Sequence, residues 1–217
     1  MKKLLFVTIF ILTGLYVFAE NAFIDQLTGT VEIKQPKETS YKAAQKGDIL
    51  FQDTVISTQF KSYAIIKIGS TTITVRPLTI LSLTEIQNLD ESETLNVNLH
   101  AGRVRVDVKP PAGTKANMTV SSLTATASVR GTSFEFDINN LYVKEGTVSF
   151  SGTNGQMVLV SAGANSRTDR AGQVSNPWDN KKANLMPPSP AGTSSNEMPA
   201  SAVTAANVIL SINVKFN

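Results

Sequence analysis

Between residues 125 and 150, Ala125, Ala127 and Val129 alternate with Thr126, Ser128 and Arg130, a period of two that gives an extended chain one apolar and one polar face. Gly131 interrupts the alternation, and beyond it Phe134 and Phe136 alternate with Ser133, Glu135 and Asp137. A lone glycine at such a place predicts a bulge or a close backbone approach, with the apolar face continuing past the kink. Asn139 and Asn140 tolerate left-handed dihedrals and are expected to close a tight hairpin. Leu141, Val143, Val148 and Phe150 form the return path, with Lys144, Glu145 and Gly146 as the next turn.

The rest of the chain to about residue 166 is patterned to pair with this stretch. Phe23, Ile24, Leu27, Val31 and Ile33 open it, residues 35–40 form a polar loop around Pro36, and Tyr41 is expected to cap the core edge. Gly47 and Asp48 turn the chain ahead of Ile49, Leu50 and Phe51. Ala64, Ile66 and Ile68 then alternate up to Gly69-Ser70, a two-residue hairpin signal, with residues 71–75 as the partner strand. Pro77 cannot donate to a ladder and is expected to end that pairing before Ile80, Leu81 and Leu83 resume. Residues 85–94 are read as an acidic solvated loop, and residues 109–113, with two prolines, as a second loop. Gly29-Thr-Val-Glu-Ile, Gly102-Arg-Val-Arg-Val and Gly146-Thr-Val-Ser-Phe repeat one theme, a glycine turn opening an alternating strand. Their unequal spacing argues against a solenoid of fixed period and suits a rolled stack of short strands. The fold class is therefore all-β, a sandwich or squat β-roll of about a dozen short strands, with an irregular solenoid-like stack as the alternative.

ATASVRGTSFEF followed by VKEGTVSF, preceded in order by GDILFQDTVIST, SYAIIKIGSTTITVRPLTILSL and LHAGRVRVDV, resembles the FecR-type periplasmic domain over roughly residues 47–162. The resemblance implies a binding domain. In their best-known setting such domains sit on the periplasmic side of a transmembrane sigma regulator and receive a signal from an outer-membrane receptor. No cytoplasmic segment precedes a membrane span here, so the expectation is a free periplasmic interaction module.

The two ends of the chain read differently. Lys2 and Lys3 precede an apolar run over residues 4–18, and Val17, Phe18 and Ala19 suit signal peptidase. The run is shorter than the roughly 20 residues a spanning helix needs, so residues 1–19 are read as a cleaved signal peptide and Glu20 as the mature N-terminus. Residues 20–166 are then the β domain. Residues 167–206, rich in Pro, Ser, Ala and Asn, are read as a disordered linker. Residues 207–217 recover an alternation of Val208, Leu210, Ile212, Val214 and Phe216, read as a final β-strand that pairs with a sheet edge of its own domain or of a partner.

Composition narrows the chemistry. The chain has no cysteine, which removes disulfides, thiolate metal sites and a lipid-modified cysteine. Its formal charge is +3, and loss of Lys2 and Lys3 with the signal leaves it near neutral, so nucleic acid is not an expected partner. Asp90, Glu91 and Glu93 lie close together, but without glycine or ligand spacing they are not read as a calcium loop, and no metal site is expected. His100, the single histidine, has no nucleophile motif beside it and reads as an ordinary strand-end residue. No catalytic residue and no cofactor is assigned, and the chain is read as not an enzyme. The candidate partner-binding residues are Arg130, Gly131, Thr132, Glu135, Glu145 and Gly146. Arg130 has two readings, a structural charge pinned by the backbone or a recognition point whose fork-shaped donors meet a partner. The expected partners are unidentified envelope proteins, with peripheral membrane or cell-wall contact as a further option. The competing function is an envelope structural or assembly protein that docks through its C-terminal strand.

Overall fold

The computed structural model describes residues 22–89 and 92–177, which form two stacked sheets. The first sheet runs, in spatial order, β17 (Asn165–Arg167), β14 (Asn140–Glu145), β13 (Ser133–Asp137), β10 (Arg103–Val108), β7 (Thr71–Val75), β6 (Tyr63–Ile68), β1 (Ala22–Thr28) and β4 (Ile49–Leu50). The second runs β16 (Met157–Ser161), β15 (Thr147–Gly152), β12 (Ala125–Val129), β11 (Lys115–Ser121), β9 (Ser92–Ala101), β8 (Ile80–Leu89), β5 (Val55–Thr58), β2 (Val31–Lys34) and β3 (Lys42–Ala43). All pairs are antiparallel except β9 with β11. The all-β class is as the alternation predicts, and of the sandwich and the roll the two sheets form the sandwich-like arrangement, with more strands than the expected dozen.

Alternation explains the core. Val104, Val106 and Val108 on β10, Ile73 and Val75 on β7, and Phe134 and Phe136 on β13 point inward from the first sheet and are buried. Val148 and Phe150, Ala127 and Val129, and Val97 and Leu99 meet them from the second. Phe136 and Phe150 touch across the layer edge to face, centroids 6.2 Å apart at 77°, a geometry the ring quadrupoles favour.

The chain changes sheet again and again between short hairpins, and one backbone device accompanies every change. At each connection from one sheet to the other a single residue has positive φ: Gly29, Gly47, Asp53, Lys61, Leu78, Gly102, Gly113, Gly131, Gly146 and Gly163. One left-handed residue swings the chain between layers while the apolar side chains keep facing inward, and glycine adopts that conformation without a Cβ penalty. The three glycine-led repeats of the sequence are three of these corners.

This corrects several expectations. Gly131, at φ 76°, is not a bulge inside one strand but the step from β12 in the second sheet to β13 in the first. Likewise Gly146 joins β14 to β15 across the layers. Residues 85–89 and 92–94 are strand and not loop: β8 and β9 pair with Gln87 opposite Thr94 and Leu89 opposite Ser92. The acidic side chains described there have partners, Glu85 accepting from the Asn96 amide and Glu93 from the Ser70 N–H and hydroxyl. Tyr41 caps no core; it is 43% exposed, with the Lys34 ammonium 5.5 Å from its ring centroid. The Gly69-Ser70 hairpin is as expected, Ile68 standing opposite Thr71.

The expected boundary at residue 166 falls inside β17. Thr168 bridges to Val174, Asp169 accepts the backbone N–H groups of Ala171 and Gln173, and Val174 is buried. Polar composition hid this hairpin, whose order comes from side-chain caps more than apolar burial. The segment 1–19, residues 178–206 and the strand expected at 207–217 lie outside the described residues.

Candidate functional site: a charged face and an open cleft

Because Val104, Val106 and Val108 point inward, Arg103, Arg105 and Asp107 must face solvent on the outer side of the first sheet. Register places Arg103 opposite Asp137, Arg105 opposite Glu135 and Asp107 opposite Ser133. Arg76, just past β7, donates its backbone N–H to the Arg103 carbonyl at 3.1 Å. Its side chain then crosses β10, and Nη2 donates to Glu135 Oε1 at 3.0 Å. Arg103 Nη2 donates to Asp137 Oδ2 at 3.1 Å, and Arg105 Nε to Asp107 Oδ2 at 3.1 Å. Three guanidinium groups therefore lie side by side, each held by one carboxylate. Exposed pairs of this kind contribute only about 0.2–1 kcal/mol each, so the fold does not rest on them.

The Asp107 carboxyl is perturbed by its surroundings. Burial alone raises it, but hydrogen bonds from Ser133 and Arg105, with the charges of Arg105 and Lys109, outweigh that and hold it below the ordinary carboxylate range. The Arg105 guanidinium is raised in turn by its bond to Asp107. Since the folded Asp107 binds its proton less readily than the unfolded one, its contribution is complete above about pH 4 and is lost as pH falls through the lower folded value. Asp107→Asn is therefore expected to flatten the fall of melting temperature below pH 4 while leaving its pH dependence near neutrality unchanged. Thermal melts from pH 7 to pH 2 check this.

At one end of the sandwich the charged face opens into a cleft of about 640 Å³ lined by Arg76, Pro77, Leu78, Gly102, Arg103, Asp137, Ile138 and Asn139. It exists because two corners stack there. Thr79 Oγ1 accepts the Arg103 N–H at 3.0 Å and donates to the Arg103 carbonyl at 3.1 Å, tying the β7–β8 corner onto Gly102. A Cβ on Gly102 would lie 2.5 Å from Thr79 Cα and 2.6 Å from the Leu78 carbonyl oxygen. Leu78 itself has φ 57° and is 59% exposed. Left-handed geometry costs a non-glycine residue about 1–2 kcal/mol, and here the side chain so held projects at the cleft rim. Asp137 closes the far wall: Oδ1 accepts the N–H groups of Asn139 and Asn140 and the Asn140 amide.

The six residues singled out by sequence do not form one site. Glu135 belongs to the charged face through Arg76. Gly131, Thr132 and Gly146 pack together at the opposite end, where a Cβ on Gly146 would lie 2.5 Å from Thr132 Cγ2. Thr132 is only 5% exposed, so it is a packing residue and not a contact surface. Its Oγ1 is buried without a hydrogen-bond partner, and an isosteric apolar side chain removes that desolvation penalty. Thr132→Val is expected to raise stability by about 1 kcal/mol in urea titration. Arg130 and Glu145 are both exposed at this end, and among the described residues neither makes a side-chain hydrogen bond or ion pair, although the Glu145 charge acts on Arg105. The reading of Arg130 as a charge pinned by the backbone has no side-chain bond behind it among the described residues. Sequence reasoning missed Arg76, Leu78, Arg103 and Asp137; the signal available was the Arg-Pro-Leu corner between two alternating runs.

His100 lies near the end of β9 on the exposed face of the second sheet, its Nε2 3.1 Å from Ser82 Oγ. Nucleophilic use of such a pair needs a third group to orient the ring and donors for an oxyanion. Ser82 is the only hydrogen-bond partner of the His100 ring among the described residues.

Residues 54–157 match the family described as FecR protein. No curated protein matches the chain. Two crystal structures of a candidate anti-sigma factor from Parabacteroides distasonis are similar, at 14% and 15% identity and a TM-score of 0.47 each. Each likeness covers 60% of this chain and 62% of that protein's chain, so the similarity spans less than two thirds of those relatives. From the corner that opens β5 to the first residue of β16, the chain is similar to the FecR protein family.

Proposed function

We propose that this protein is a non-enzymatic interaction module of the cell envelope that relays a signal by contact with another envelope protein from a periplasmic position. The family match supports the signalling class. The observation that carries the contact reading is the arginine cleft: exposed guanidinium groups with N–H donors to spare, beside an apolar residue held outward against its backbone preference. Those are the side-chain types that anchor protein interfaces. Immobilised full-length protein is expected to retain an envelope protein from detergent extract, and Arg76→Glu with Arg103→Glu is expected to abolish retention without changing the far-ultraviolet circular dichroism. Retention unaffected by the charge reversal, but lost on deleting residues 207–217, would replace this reading with the assembly-protein reading that rests on the C-terminal strand.

A further inference from the structure

The geometry points to a ligand class for the cleft: we infer that it binds a peptide carboxylate next to an apolar side chain on an extended segment of a partner protein. This rests on the interaction-module reading. Each of the two arginines at the cleft uses one nitrogen on protein. Arg76 donates through Nη2 to Glu135 and Arg103 through Nη2 to Asp137, which leaves Nε and Nη1 of both guanidinium groups without an acceptor among the described residues. Their side chains are 45% and 56% exposed. A guanidinium offers five N–H donors in a planar fork; the second N–H of Nη2 stays beside either Nε or Nη1, and a carboxylate, like a phosphate, accepts two such donors side by side.

The neighbouring carboxylates do not reverse this preference. Asp137 has both oxygens occupied, Oδ2 by Arg103 and Oδ1 by three N–H donors from Asn139 and Asn140, and its side chain is only 18% exposed. Glu135 is bonded to Arg76. Arg76 and Arg103 line the cleft with a single carboxylate, that of Asp137, and Asn139 stands on the same wall.

Leu78 supplies the second half of the recognition. Most sheet changes in this chain use glycine, and the Leu78 corner would be relaxed by glycine too. Instead a leucine is fixed there by the Thr79 bonds to Thr58 and Arg103, its side chain more than half exposed beside Pro77 and Ile138. An exposed apolar side chain in a strained conformation, next to two under-used arginines, is an arrangement that packing does not require and that ligand contact uses.

The test is NMR titration of the full-length protein with three small probes at millimolar concentration: N-acetyl-leucine, N-acetyl-leucinamide, and N-acetyl-aspartate α-amide. N-acetyl-leucine is expected to shift the resonances of Arg76, Leu78, Arg103 and Asn139 saturably, and the leucinamide is expected to leave them in place. Binding of N-acetyl-leucine alone identifies a terminal carboxylate, whereas binding of the aspartate amide as well widens the class to acidic side chains. Arg103→Lys keeps the charge but loses the fork, and it is expected to weaken binding at least tenfold. Leu78→Gly is expected to weaken binding while keeping or raising the melting temperature, an outcome a structural role for Leu78 does not give. Equal shifts with acid and amide, or shifts confined to other parts of the surface, would overturn the inference. If the immobilised protein still retains an arginine-dependent partner in that event, the interaction-module reading stands and only the carboxylate is wrong.

Discussion

Gly102→Ala is expected to prevent the chain from reaching a stable fold. The substitution meets two independent penalties. At φ 86° any L side chain carries the left-handed strain, about 1–2 kcal/mol. The new methyl would also lie 2.3 Å from Thr79 Oγ1 and 2.5 Å from Thr79 Cα, inside the backbone of the neighbouring corner. Relief would require separating the β7–β8 and β9–β10 corners and breaking both Thr79 bonds to Arg103. Gly131→Ala provides the contrast, because its Cβ would have only Pro110 nearby, at 3.6 Å. It is expected to lose about 1–2 kcal/mol, the strain alone, and to remain folded. Urea unfolding followed by circular dichroism separates the two variants, and equal stability of both would remove stacked corners from the account.

Phe136→Ala carries the second large effect, an expected loss of about 3–5 kcal/mol. Phe136 is fully buried, lies between Val104 and Leu141 in the first sheet, and meets Phe150 of the second edge to face. Truncation leaves a cavity at the layer interface that short, cross-linked strands cannot collapse. Removing Phe150 as well is expected to add less than its single loss, since the ring pair is already broken. A full additive loss in the double variant would mean the two rings do not support each other.

These two positions show how far the sequence could be read. Phe134, Phe136, Val148 and Phe150 were legible as core because alternation depends only on residue type. Which sheet each strand joins was not, because an inward-facing strand has the same pattern in either layer. Gly131 looked like an interruption in one strand for that reason, although it marks a change of partner from β11 and β15 to β10 and β14. Glycine corners left a trace in the repeats at Gly29, Gly102 and Gly146, whereas Asp53, Lys61 and Leu78 take the same conformation with nothing in their residue type to announce it. The acidic composition of residues 85–89 and 92–94 misled because a strand with one outward face needs few apolar residues. The cleft was hidden by distance along the chain: its ion pairs join residues 59 and 34 positions apart, and only the sheet order β13-β10-β7 brings them side by side.

That cleft is where the functional account is most exposed to contradiction. The direct measurement is photocrosslinking in the living cell, with a benzophenone amino acid placed at Leu78 on the cleft rim or at Leu123, which is 86% exposed and lies outside the cleft. A discrete adduct with another envelope protein from position 78, absent from position 123 and lost when Arg76 and Arg103 are reversed to glutamate, is the result this account predicts. Adducts of equal yield from both positions, or an adduct from position 78 that survives the charge reversal, would contradict it.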